Sequence, residues 1–383
     1  MRSAAVVVAV GTRPEAIKLA PVIMAMRAHG TIAPAVVTTG QHRQLVRDAL
    51  DLFGISSDVD LAMGEQVSEL STKAAHLIER AGQLLRDRAP RAVVVQGDTL
   101  SAFGFGLAAF YQRIPVVHVE AGLRSGDLSA PFPEEFHRRS TALLARLHFA
   151  PTERAAARLR GEHVPEGRIH VTGNTVVDAL RLVRAHGARP AESTVEPAAQ
   201  IPEVEQVLRG RTRLVLVTAH RRESWGAPME QVVGALEQLA AGRPDTAFVV
   251  CVHPNPLVGS EFSRLAGLGN VVLTPPVGYA DFVRLMDRAD LILTDSGGIQ
   301  EEAPSLGTPV LVLRELTERM ENLDAGVARL IGTSTPGIVA EVGRLLDDPA
   351  ALALMARLGD LHGDGHAAER CVKILAEELE LMP

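Results

Sequence analysis

The 383-residue chain reads as an α/β protein built from two doubly wound, parallel-sheet (Rossmann-like) domains. Three observations predict this. Short β-branched apolar runs are followed by longer helix-patterned segments, and the alternation recurs in both halves. The runs are continuously apolar rather than alternating, as strands buried on both faces are. The length also exceeds what one hydrophobic core comfortably organises, so two domains of ordinary size are expected.

In chain order, residues 5–10 form the first expected strand. A helix should follow the turn Gly11-Thr12-Arg13-Pro14-Glu15, with Pro14 at an early helical position and Gly30 as its C-terminal cap. Pro21 inside it should bend or break it. Further strands are expected at 35–38, 92–96 and 115–119, then at 214–218, 248–252, 271–273, 291–294 and 310–313. A helix over 297–307 is opened by Ser296 and closed by glycine. Residues 185–212 turn rich in Pro, Ala, Glu and Arg and read as a surface segment, with the crossover between domains near Thr172-Gly173-Asn174. The expected division is therefore 1–174, 175–365, and a terminal helix within 366–383 packing back on the first domain.

Composition narrows the function. Hydrophobic residues make up 46% and charged residues 22%, the balance of a globular chain rather than a disordered one. A net charge of -7 argues against nucleic-acid or anionic-membrane binding but allows a locally basic pocket. The two cysteines, Cys251 and Cys371, support neither a disulfide framework nor a cysteine zinc site and fit a reducing, cytoplasmic setting. The apolar N-terminal run lacks a signal-peptide cleavage pattern, and no stretch of eighteen apolar residues occurs. The 13 histidines show no metal triad. Neither Gly-x-Gly-x-x-Gly after the first strand nor a Gly-Lys-Ser/Thr phosphate loop is present, so no cofactor is expected.

In doubly wound sheets ligands sit beyond the carboxyl ends of strands, and the unusual residues of this sequence fall there. Arg13 and Lys18 flank a strand-to-helix turn whose amides favour phosphate, although a plain glycine turn with surface charges reads equally well. In Asp295-Ser296-Gly297-Gly298-Ile299-Gln300-Glu301-Glu302, paired glycines admit a diphosphate and Glu302 is placed for ribose hydroxyls; the alternative is a simple capped helix start. Asp98, Glu120 and Glu134 follow separate strands or their loops and can converge, so that one acts as acid while another remains a base. Against this, Asp98 could cap the next helix, and Glu134 or Glu135 could pair with Arg138 or Arg139. His220, in Thr218-Ala219-His220-Arg221, ends another strand amid charges that suit phosphate.

Together these motifs resemble the non-hydrolysing UDP-N-acetylglucosamine 2-epimerase family. The likeness runs from Gly11-Thr12-Arg13-Pro14-Glu15 to Glu318-Arg319 and takes in Thr39-Gly40-Gln41-His42 and His253-Pro254-Asn255-Pro256. The resemblance implies a glycosyltransferase-B-like fold with an interdomain active-site cleft, a UDP-sugar substrate and a homodimer. It implies that Asp98, Glu120, Glu134 and His220 are catalytic, and that Arg13, Lys18, Phe282, Ser296, Gly297, Gly298, Glu302 and Arg319 bind substrate. It further implies a regulatory UDP-N-acetylglucosamine site at Gln41, His42, Gln44 and His253. The implied reaction breaks the C1–O bond and removes the C2 proton, passing through 2-acetamidoglucal, before UDP adds back. Two departures stand out: His137 and Met320 occupy positions where the family commonly has Asn and Pro. Rival readings are a hydrolysing 2-epimerase, an epimerase for a modified UDP-sugar, a UDP-sugar glycosyltransferase and a non-catalytic sensor.

Overall fold

The computed structural model describes residues 4–41, 43–63, 69–187, 201–221, 225–253, 255–357 and 361–381. The chain forms two compact units, Met1–Leu182 with His362–Pro383, and Val183–Leu361.

The first unit contains β1 (Ala4–Val10), α1 (Arg13–His29), β2 (Ile32–Thr38), α2 (Arg43–Asp51), β3 (Val59–Asp60), α3 (Leu70–Arg88) and β4 (Ala92–Gln96). It continues with α4 (Leu100–Tyr111), β5 (Val116–Val119), α5 (Glu134–Leu144), β6 (Leu147–Ala150), α6 (Glu153–Gly161), β7 (Ile169–Val171) and α7 (Thr175–Gly187), which runs on past Leu182. Among the described residues the strands form one parallel sheet in the order β3-β2-β1-β4-β5-β6-β7. Val6 to Val10 and all of β4 and β5 are buried, because helices cover both faces. On one face Leu77 and Leu85 of α3 and Phe105 of α4 pack against Val7, Val93 and Val95. The strand order reverses between β1 and β4, where the connections depart in opposite directions and leave a crevice.

The second unit contains α8 (Pro202–Leu208), β8 (Arg213–Thr218), α9 (Ala227–Gly242), β9 (Thr246–Cys251), α10 (Pro256–Phe262), β10 (Val271–Thr274), α11 (Tyr279–Arg288) and β11 (Leu291–Thr294). Then come α12 (Gly297–Leu306), β12 (Val310–Val312), α13 (Met320–Asp324), β13 (Ala328–Leu330), α14 (Thr335–Asp347) and α15 (Pro349–Met355). Its parallel sheet runs β10-β9-β8-β11-β12-β13, reversing between β8 and β11. Phe248, Phe262, Leu236 and Leu345 fill its core.

The last helix, α16 (Ala367–Leu381), belongs to the first unit and packs on α1. Buried Asp178 on α7 accepts the Ala367 and Ala368 amides, supplying the anion that a helix N-terminus favours. Gly173 and Gly363 meet so closely that a Cβ on either would lie 3.1 Å from the other's Cα, which only glycine tolerates without movement.

Several expectations need amendment. β3, β6, β7 and β13 were not anticipated: histidines interrupt the apolar pattern of β6 and β7, Arg329 that of β13, and β3 has two residues. Helix α1 runs through Pro21 without a break, with Pro21 itself buried. Residues 188–200 of the Pro-rich segment lie outside the described residues, as does His42. Among the described residues no helix is long and apolar enough to cross a membrane.

Candidate active site

At the carboxyl end of the first sheet the residues are linked in a chain. Lys18 on α1 places Nζ 2.6 Å from Oε1 of Glu120, and both side chains are almost fully buried. Glu120 follows β5 directly with φ +62, in the left-handed region that non-glycine residues rarely adopt, and so points its carboxylate back across the strand ends. Its other oxygen accepts from the amide of Gln96, the last residue of β4. Two residues on, Asp98 accepts from Nε and Nη2 of Arg138, each at 2.7 Å. Arg138 is buried and also contacts Glu135 at 3.3 Å, while Glu135 caps the Ser125 and Gly126 amides.

Glu134 opens α5, one turn before Arg138, and makes no ion pair among the described residues. It and Asp98 both act on His137, whose Nδ1 meets the Asp98 carbonyl at 3.0 Å and whose ring stacks on Phe103 at 5.2 Å. Burial nevertheless pushes the His137 pKa down. The structure thus gathers Lys18, Asp98, Glu120 and Glu134 at one end of the first sheet. Asp98 is not the helix cap: Thr99 takes that role through the Ala102 amide. Arg13 stands half-buried at the first position of α1. Gln41 is half-buried in the turn beyond β2 and lines a hollow of about 250 Å³ with Arg43, Arg47 and Asp60; exposed Gln44 bonds Asp48 on α2 instead.

In the second unit the residues sit at the β8–β11 reversal. Asp295, fully buried, accepts the backbone amides of His220 and Arg221 at 2.8 Å each, and its other oxygen lies 3.4 Å from His220 Nδ1. That last distance marks an ion-pair approach when the ring is protonated rather than a hydrogen bond. The His220 ring stacks on His253 at 5.5 Å, and burial together with the His220 ring lowers the His253 pKa. Ser296 precedes α12 without capping it by its side chain. A Cβ at Gly297 would meet the Arg319 guanidinium at 3.0 Å.

Arg319 itself is buried and bound to Glu301 at 2.7 and 2.9 Å and to Glu318 at 3.1 Å. Burial would raise Glu318, but Arg319 and Arg314 overcome it and hold the carboxyl at about 2. Glu302 is buried on the first turns of α12, and Phe282 on α11 is half-buried. Sequence reasoning gave no role to Glu15 or Asp295 and offered Arg138 only as a partner of Glu134 or Glu135; the structure pairs it with Glu135 and also with Asp98. Among the described residues no group of three His, Cys, Asp or Glu side chains could hold a metal.

A model of the UDP-N-acetylglucosamine 2-epimerase family matches residues 24–376. The chain belongs to that family. It is similar to the UDP-N-acetylglucosamine 2-epimerase of Salmonella typhimurium, with 47% identity covering 95% of this chain and 96% of that one. It is likewise similar to the crystal structure of the Neisseria meningitidis UDP-GlcNAc 2-epimerase bound to UDP-GlcNAc. There the identity is 40%, the TM-score 0.90, and 97% of this chain and all of that one are covered. The glycosyltransferase-B-like fold of this epimerase reaches further, to MurG of Acinetobacter baumannii at 14% identity and TM-score 0.57, covering 98% and 99% of the two chains. His137 and Met320 remain the positions where this member departs from the pattern its resemblance implied, and His137 lies directly against Asp98.

Proposed function

We propose that this epimerase interconverts UDP-N-acetylglucosamine and UDP-N-acetylmannosamine by eliminating and re-adding UDP. The observation that carries the reading is the set of carboxylates at the end of the first sheet, two of them held on cations: Glu120 on Lys18, and Asp98 on Arg138. The C2 hydrogen of the sugar is not acidic, so the C1–O bond breaks with it. The bond electrons leave with UDP, and a carboxylate takes the C2 proton to give 2-acetamidoglucal. A second carboxyl then delivers a proton to the opposite face of C2, and UDP re-forms the C1–O bond. Asp98 and Glu120 have their negative charge offset by neighbouring cations, while Glu134 is left to exchange a proton. Arg13 offers positive charge and His220 a ring N–H to the departing diphosphate, while Lys18 balances Glu120. Ser296, Gly297 and Gly298 offer backbone amides to the phosphates, Glu302 takes the ribose hydroxyls, and Phe282 faces the uracil. Arg319 serves by bracing the Gly297 turn, since its guanidinium is already spent on Glu301 and Glu318.

The neighbouring helices α4 and α5 expose Phe110, Tyr111 and Leu143, the last 85% accessible, which supports a homodimer through this face. Free thiols at Cys251 and Cys371 accord with a cytoplasmic enzyme. The family resemblance is what supports a regulatory UDP-N-acetylglucosamine site at Gln41, His42, Gln44 and His253.

Incubation with UDP-N-acetylglucosamine in deuterated water tests the reaction. Deuterium at C2 of both epimers is expected. Free sugar with UDP, or no exchange at all, would overturn it. Reverse-direction progress curves from UDP-N-acetylmannosamine should show a lag that added UDP-N-acetylglucosamine abolishes.

A further inference from the structure

We propose that Glu15 is a positioning residue, whose buried carboxylate ties the turn after β1 to the turn after β4 and so fixes Arg13 and Lys18 relative to Asp98. The inference rests on the epimerase reading above and adds a residue to it. Strands β1 and β4 are neighbours at the point where the strand order reverses. Glu15 lies in the first turn of α1 and is 1% exposed. Its Oε2 accepts the Gly11 amide at 3.1 Å, within its own turn. Its Oε1 accepts the Thr99 hydroxyl at 2.8 Å, from the turn that carries Asp98. That hydroxyl in turn accepts the Ala102 amide at 3.0 Å and caps α4. The turn after β1 also packs against the start of α4, for a Cβ on Gly11 would fall 1.8 Å from Ser101 Oγ.

A first-turn glutamate needs no burial to complement a helix dipole; the exposed face serves as well. Here burial, opposed by the hydrogen bonds from Thr99, Thr12 and Gly11, pushes the carboxyl up to about 7. A buried acid of this kind costs stability, and what it delivers is a cross-link between two loops that no strand ladder joins. Arg13 is two residues away on one side of that link, and Asp98 is adjacent to Thr99 on the other. Catalytic groups displaced by about 1 Å lose on the order of 100-fold in rate, so the link acts on turnover more than on nucleotide binding.

The test uses the full-length enzyme and the deuterium-exchange assay. Thr99→Val removes the hydroxyl while keeping the shape, and Thr99→Ser retains it. Expected is a kcat loss of roughly 10- to 100-fold for Thr99→Val and for Glu15→Gln, with KM for UDP-N-acetylglucosamine moving less than about threefold. Thr99→Ser should restore nearly all activity. The double variant Glu15→Gln with Thr99→Val should be little worse than either single one, because both break one link. If Glu15→Gln does not fold, the Val and Ser pair at position 99 decides alone. An active wild type whose folded Thr99→Val keeps its kcat within twofold overturns this inference and leaves the reaction intact, as does a fully additive double variant. A wild type without exchange overturns the epimerase reading and this inference with it.

Discussion

Replacing Lys18 by Met keeps the aliphatic stem but deletes the charge that faces Glu120 across 2.6 Å. Both side chains are at most a tenth exposed, so water cannot take over the role of the ammonium. Breaking one partner of a buried pair costs about 3–5 kcal/mol, because the remaining ion keeps its desolvation penalty. The first unit has about 200 residues, for which each kcal/mol moves Tm by about 2–4 °C, so its transition should fall by roughly 6–20 °C. The double variant Lys18→Met with Glu120→Gln leaves a neutral amide that still accepts from Gln96, and should recover most of that loss. Neither variant should turn over, since both remove groups proposed to touch the reacting sugar or diphosphate. Calorimetry with parallel exchange assays measures both effects. A Lys18→Met protein within about 1 kcal/mol of wild type, or a double variant no more stable than the single one, would refute the argument that the pair is strongly desolvated.

Two other outcomes follow from the geometry. Strands β5 and β6 pair His118 with His148 in register, both buried; burial drives them down to about 4 and about 3, well below the 6.5 of a free imidazole. The unfolded chain therefore binds protons that the folded one refuses, so their contribution is complete above pH 6.5 and is lost as pH falls toward 4. His148→Leu should flatten the stability-pH slope by about 1.4 kcal/mol per unit in that window, and urea unfolding at pH 7, 6 and 5 giving an unchanged slope would count against it. Gly297→Ala drives a methyl to within 3.0 Å of a guanidinium that Glu301 and Glu318 hold in place, so UDP affinity should weaken about tenfold by calorimetric titration, equivalent to about 1.4 kcal/mol; unaltered affinity would place UDP elsewhere.

Much of the scaffold was legible because parallel strands buried on both faces declare themselves as unbroken β-branched runs. β4 is Ala-Val-Val-Val-Gln, and β11 is Leu-Ile-Leu-Thr. β6 escaped because His148 sits where a reader expects an aliphatic residue, and its burial is paid in a depressed pKa rather than in hydropathy. The acidic residues at strand ends were legible one by one. Their partners were not, because Arg138 reaches Asp98 over 40 positions of sequence and Thr99 reaches Glu15 over 84. Spacing rules see a helical turn or a strand pleat, and such pairings exist only once the sheet has formed. The ambiguity over Asp98 was of the same kind. Asp and Thr both cap helices, and only the folded turn gives the cap to Thr99 and frees Asp98 for Arg138.

A common device appears in both units. Right-handed crossovers send the helices that follow the two reversal strands to opposite faces of the sheet, so the loops between them part and lose any ladder connection. That parting makes the crevice, and it ends the strand ladder at the crevice mouth. In the first unit Glu15 bridges the gap between the turns after β1 and β4; in the second, Asp295 does so between the turns after β8 and β11, gripping the His220 and Arg221 amides. In each case the bridge is an acidic residue excluded from solvent, beside and not within the set proposed to touch the sugar nucleotide. A neutral amide could not replace Glu15, because its two oxygens each accept from a different donor, whereas Asp295 holds both amides on one oxygen. The reversal that opens a crevice in this fold therefore also creates the need for buried acids around it, and strand-end carboxylates divide into those proposed to do chemistry and those that hold the walls.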